Sequence, residues 1–123
     1  MGQENAESTG TRQLSGVGGQ MDFLEGAYRS KGGKGFICIN SSRVTKDGER
    51  KSNILATIPG GSTISAPRTM IQYVATEYGI ASLSGKTLRE RAEAMASIAH
   101  PDFREELIKE AEKMHIWRRS NKI

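Results

Sequence analysis

The apolar positions of the chain follow two periods, with short extended runs in the first two thirds and helical stripes in the last third. Phe36 to Asn40 is an apolar, β-branched run that reads as a buried strand. Ser52 to Ile58 carries Ile54, Ala56 and Ile58 on one face and predicts a second strand; Thr63 to Ala66 predicts a short third, and Met70 to Thr76, centred on Tyr73-Val74-Ala75, a fourth. Lys46-Asp47-Gly48-Glu49 and Pro59-Gly60-Gly61 are turn signals, and Gly79 and Gly85 bracket a loop. Ahead of these, residues 1–13 are polar without periodicity and read as a loop. A glycine-rich turn over residues 14–19 leads into a short helix on which Phe23, Leu24, Ala27 and Tyr28 recur, ended by Lys31-Gly32-Gly33-Lys34-Gly35.

Thr87-Leu88-Arg89-Glu90 is a capping box, in which hydroxyl and carboxylate each satisfy an otherwise free backbone N–H. Leu88, Ala92, Met95, Ala96 and Ala99 then line one helix face. Pro101 stops that helix, because proline disfavours helical geometry in the residue before it. Asp102 is the expected N-cap of a second helix, with Phe103, Leu107, Ala111 and Met114 as its apolar stripe. Strands first and two C-terminal helices last predict an α/β protein, its sheet covered by helices on at least one side.

Composition sharpens this picture. The 123 residues amount to one small domain, and 36% hydrophobic content with 14 glycines is lean for a self-sufficient core. Many exposed turns would explain it, and so would a piece cut from a larger α/β protein. The net charge of +4 comes mostly from cations set among acids, as in Arg89-Glu90-Arg91 and Lys109-Glu110, which is the pattern of a solvated surface. The basic end, Arg118 to Lys122, reads as a frayed tail. Cys38, the single cysteine, excludes an internal disulfide and reads as a buried, inert thiol within its apolar run. One Cys and two distant His residues build no familiar zinc site, so no metal is expected. No run approaches the roughly 18 apolar residues of a membrane span, and the polar, acidic start is unlike a signal peptide. A cytoplasmic protein is expected, with neither nucleic acid nor membrane as partner.

Three places offer chemistry. Gly16-Val17-Gly18-Gly19 precedes a helix start, where glycine admits close approach of a ligand and free N–H groups favour negative charge, either phosphate or the oxyanion of a thioester carbonyl. A plain turn reads equally well from spacing alone. Gly85-Lys86-Thr87 resembles the end of a phosphate-binding P-loop, but Ile80 stands where that motif needs its first glycine, and Thr87 is already a cap. Glu77 sits at a strand end, where catalytic groups of α/β sheets gather and where desolvation would raise a carboxyl pKa; a solvated terminus is the alternative. His100, next to Pro101, and His115 read as local hydrogen-bonding or surface groups.

Longer strings say more. Gly10-Thr11-Arg12-Gln13-Leu14-Ser15-Gly16-Val17-Gly18-Gly19-Gln20-Met21-Asp22-Phe23 resembles the G-x-x-Q-x-S-G-V-G-G-Q-x-D-F signature of acetyl-CoA hydrolases and transferases. In the same order, Lys31 to Lys34 resembles the family's lysine- and glycine-rich turn, Tyr73 to Ala81 resembles Y-V-V-T-E-Y-G-I-A, Gly85 to Ala92 resembles G-K-S-L-R-E-R-A, and Ile98 to Arg104 resembles I-A-H-P-D-F-R. Within the family, the chain resembles the 4-hydroxybutyrate CoA-transferases.

The resemblance implies a ribose-isomerase-like CoA-transferase fold of two related α/β halves, of which residues 1–123 would be a C-terminal segment. It implies an acyl-CoA and a small carboxylic acid as substrates, no permanently bound cofactor, and covalent catalysis through a glutamyl-CoA thioester. Gly16, Val17, Gly18, Gly19 and Gln20 would lie against CoA, the Gly18 N–H would support the thioester oxyanion, and Glu77 would be a supporting carboxylate. The family's nucleophilic glutamate lies well upstream of the S-G-V-G-G motif, and Glu4 and Glu7 do not match its surroundings. The chain is therefore expected to lack the nucleophile, to need an N-terminal half or another subunit, and to self-associate or be only marginally stable when alone. A stand-alone module that binds CoA or phosphate without turnover is the competing expectation.

Overall fold

The computed structural model describes residues 1–116. Two short antiparallel strands come first, β1 (Ser8–Thr9) and β2 (Arg12–Gln13), inside the segment that the sequence marks as loop. Helix α1 spans Gln20–Arg29, followed by β3 (Phe36–Cys38), β4 (Ser42–Val44), β5 (Arg50–Ser52), β6 (Tyr73–Thr76) and β7 (Gly79–Ser82). Helices α2 (Leu88–Ser97) and α3 (Pro101–Lys113) close the described chain. The basic stretch from Arg118, together with Trp117, lies outside the described residues.

The central sheet has the order β3-β6-β7, with β3 parallel to β6 and β6 antiparallel to β7. A parallel pair needs a long crossover, and residues 39–72 supply it, carrying the β4–β5 hairpin on the way. The Lys46 to Glu49 turn signal is the tip of that hairpin: Gly48 has φ +82, and the Thr45 N–H donates to the Glu49 carbonyl at 2.8 Å.

Strand alternation divides the sheet into two unlike faces. Ile37, Val74 and Ala81 pair across one face, which α2 covers; Val74 and Ala81 are buried there, with Leu83, Ile98 and Ala99 beside them. The other face carries Phe36, Cys38, Tyr73, Ala75 and Ile80, with Phe36 stacked on Tyr73 at 4.8 Å and Ile80 63% exposed. Helices thus cover one side of the sheet, as the element order predicts. Cys38, expected to be buried, is exposed, because it falls on the open face of an edge strand.

Several sequence expectations need correction. Ser52 to Ile58 is not a strand: β5 ends at Ser52, whose hydroxyl donates to the Ile54 carbonyl and accepts from the Ile54 N–H, folding the backbone into a local turn. Ile54 is nonetheless buried. Thr63 to Ala66 makes only one bridge, between Glu4 and Ala66. The supposed loop after Gly79 is β7, since Glu77 and Tyr78 turn the chain straight back onto β6. On α1 only Leu24 is buried, while Phe23 and Tyr28 are 82% and 61% exposed. On α2, Leu88 is exposed while Ala96 is buried; on α3, Ala111 is buried and Met114 is at the surface. The capping box forms as expected, with the Glu90 N–H donating to Thr87 Oγ1 and the Thr87 N–H to the Glu90 carboxylate at 2.7 Å. Asp102 does not cap α3. Pro101 occupies the first turn, where its missing N–H costs nothing, and His100 is the cap, its Nδ1 accepting from the Asp102 N–H at 3.3 Å.

Candidate functional site

Glu77 stands at the tip of the β6–β7 hairpin, in a two-residue turn closed by the Thr76–Gly79 pair. Its carboxylate is solvent-exposed and held from one side by Ser41, a residue with no exposed surface. The Ser41 hydroxyl donates to Glu77 Oε1 at 2.5 Å and the Ser41 N–H to Oε2 at 2.9 Å. These two bonds, the hydroxyl's first, and after them Glu77's own N–H hold the Glu77 carboxyl below its ordinary range, with His100 contributing least. The desolvated carboxyl considered from sequence is thus overturned: hydrogen bonding to the charged form dominates because the group faces water.

Ser41 was not singled out from sequence, since a serine in Asn40-Ser41-Ser42 carries no motif. Its place follows from topology: β3 runs parallel to β6, so the residues leaving its C-terminal end arrive beside the hairpin tip. Tyr78 extends the cluster, its ring edge-on to His100 at 5.6 Å and lying under the Arg104 guanidinium at 5.4 Å. Thr76 fixes the turn from within, donating its hydroxyl to the Ile98 carbonyl at 2.7 Å and accepting from the Tyr78 N–H.

The glycine loop forms the expected turn into a helix. Gly19 is the N-cap of α1, with no side chain capping the free N–H groups of the first turn. Gly18 has φ +59, a left-handed conformation that explains glycine there, and nothing lies within 4 Å of where a Cβ would stand at Gly16 or Gly18. Packing therefore does not demand the glycines, and the loop lies open beside Val17, which is 42% exposed. Gln20 is engaged: its amide donates to Glu4 Oε2 at 2.6 Å. Glu7 supports the same segment, its carbonyl accepting from the Leu14 and Ser15 N–H groups. Among the described residues no hydrogen bond joins the loop to Glu77; each is held by its own partners.

A mixed sheet backed by helices, with a pinned carboxylate at a hairpin tip and an uncapped, glycine-turned helix start, defines the class as an α/β domain. The chain belongs to the acetyl-CoA hydrolase/transferase family: the family's C-terminal domain matches residues 1–111. It is 53% identical to a butyryl-CoA:acetate CoA-transferase of Anaerostipes caccae over 98% of the chain and 27% of that protein. It is 50% identical to a 4-hydroxybutyrate coenzyme A transferase of Clostridium kluyveri over 92% of the chain and 26% of that protein. Among solved structures, RipA from Yersinia pestis superposes with a TM-score of 0.75 at 38% identity, covering 92% of this chain and 24% of that one. The chain thus spans about a quarter of the length of the relatives that it matches. Among the described residues no helix is long and apolar enough to cross a membrane.

Proposed function

We propose that residues 1–123 act as the C-terminal segment of a CoA-transferase of the ribose-isomerase-like type, which moves CoA between an acyl-CoA and a small carboxylic acid. In this reading the reaction passes through a glutamyl-CoA thioester formed on a glutamate outside these residues, and CoA is a substrate rather than a resident cofactor. Gly16 to Gln20 lie along CoA, with the Gly18 N–H at the developing oxyanion.

The observation that carries this reading is the state of Glu77. A proton-donating carboxyl needs a pKa raised toward its task, and a nucleophilic one needs freedom to advance onto the thioester carbon. Glu77 has both oxygens occupied by Ser41 and is held anionic. The low pKa suits a fixed negative charge and not a proton donor, and the two-point tether to Ser41 holds the carboxylate back from attack. The open face of Phe36, Tyr73 and Ile80 is where the rest of the enzyme docks.

The test is CoA exchange between butyryl-CoA and acetate, measured for the chain alone and after mixing with the remaining segment of a family member. The expected outcome is no turnover alone and turnover on mixing, reduced but not abolished by Glu77→Gln. Turnover by the chain alone that Glu77→Gln abolishes would make Glu77 the nucleophile and overturn this assignment.

A further inference from the structure

At the far end of the β6–β7 hairpin from Glu77 lies a cavity of about 330 Å³ between the start of β6 and the start of α2. Three cations line it: Arg68, Lys86 and Arg91. Arg91 is only 7% exposed. Its guanidinium donates to three carbonyls, Nε to Met1 O at 3.0 Å, one terminal nitrogen to Leu83 O and the other to Arg68 O, each at 2.7 Å. These bonds satisfy its nitrogens but leave its charge uncompensated. Among the described residues none of the three cations pairs with a carboxylate. The acid that feels Lys86, Glu90, is held away by the Thr87 N–H and hydroxyl. Arg68 and Arg91 repel one another, which, after burial, lowers the Arg91 pKa. A buried, unpaired charge is costly, and an anion in this cavity removes that cost.

We infer that this cavity is a phosphate-monoester site. The three positive charges suit a dianion, and the hydroxyls of Ser84 and Thr69 on the wall supply neutral donors to its oxygens. The volume exceeds that of a bare phosphate, and the exposed Tyr28 ring on the rim offers a surface for an attached organic group. Gly85 and Lys86, the fragment of a P-loop pattern left unassigned by the sequence, form part of this wall. Ile71 at the cavity and Glu77 at the hairpin tip flank β6, six positions apart and so at most roughly 20 Å along the chain. An elongated substrate with its reactive end at one point and a phosphate at the other spans them. Resting on the function proposed above, the phosphate is the 3′-phosphate of CoA; the same chemistry would also accept free inorganic phosphate.

The experiment titrates the ¹⁵N-labelled chain with CoA, with CoA lacking the 3′-phosphate, and with inorganic phosphate, following amide shifts and affinity. Shifts at Thr69, Ser84, Gly85 and Lys86, with CoA at least about tenfold tighter than its dephosphorylated form, are expected. The Arg68→Ala and Lys86→Ala variants should each weaken binding about tenfold, the worth of one charge-assisted hydrogen bond. Both side chains are exposed, so both variants should keep the parent melting temperature; Arg91, which ties three chain segments, is left intact. Phosphate shifting these amides while the two CoA forms bind alike would support the site with free phosphate as its source. Absence of shifts at these four residues, or unchanged affinity in both variants, would overturn it. Phosphate binding is read without any turnover, so failure of the CoA-transfer reading would leave this result standing, and the reverse.

Discussion

Ser41 and Glu77 carry the residue-scale argument. A depressed carboxyl pKa contributes stability that is fully present above the ordinary value of 4.5 and is lost as pH falls through the lowered folded value. Ser41→Ala removes the hydroxyl, the larger of the two causes, and leaves the backbone N–H in place. The Glu77 carboxyl should then titrate closer to 4.5, and the stability difference between parent and variant should shrink below that pH. A ¹³C titration of the Glu77 carboxyl reads the first effect, and denaturant melts across pH 3 to 7 read the second, roughly spanning the carboxylate range. An unmoved titration would show that the hydroxyl bond contributes nothing in solution.

Gly18 gives a second residue-scale prediction. A β-branched side chain at φ +59 is strained whatever it touches, whereas asparagine tolerates that region. Gly18→Val should therefore destabilise the loop by about 1–2 kcal/mol, and Gly18→Asn by less. If the Gly18 N–H faces an oxyanion, Gly18→Val, which pulls the loop out of this conformation, should lower turnover of the reassembled enzyme about a hundredfold, the usual cost of a lost oxyanion donor. Gly18→Asn, which keeps the conformation and the N–H, should stay near normal. Near-normal turnover in a folded Gly18→Val enzyme would remove that role.

At the scale of elements, what the sequence made legible was local chemistry. The Thr87–Glu90 box, the α1 boundary after Gly19 and the Asp47-Gly48 hairpin tip each depend on residues a few positions apart. Thr87→Ala should cost about 1 kcal/mol, as N-cap replacements do, and lower the melting temperature by several degrees in a domain of this size. What was illegible depends on distant partners. Glycine at Gly79 looked like a breaker but opens β7, because its neighbour is β6 across a tight turn. Ser52 and Asn53 ended a strand that the apolar pattern would have continued, since Asn53 Nδ2 donates to the Asn40 carbonyl at 2.9 Å instead. Cys38 and Phe36 looked like core because their run is apolar; which face is covered is a property of the sheet and not of the run. For the same reason the family motif marked Glu77 but not Ser41, which a parallel pairing brings to it from 36 residues away.

The whole molecule has a one-sided core. Ile71 and Leu83, both almost fully buried, anchor the covered side of the sheet, each contributing roughly 1.5–3 kcal/mol by burial. The opposite side leaves Phe36 and Ile80 to solvent, and contiguous apolar surface of this kind marks a docking area. The chain alone should therefore self-associate. Ile80→Lys, at a position 63% exposed, should reduce that association in light scattering and change folding stability by less than about 0.5 kcal/mol. A parent chain that is already monomeric at high concentration would contradict the expectation.

The bond from Arg91 to the Met1 carbonyl closes a span of 90 residues. During synthesis Met1 therefore gains this partner only once α2 has been made, whereas Glu4 already meets Ser65 and Ala66 earlier along the chain. At about 5–20 residues per second that wait is roughly 5–20 s. Until then the apolar side chains that later meet α2 have no helix over them. The tie that fixes the finished segment thus also sets the order in which its parts can settle, the Met1 end waiting on α2.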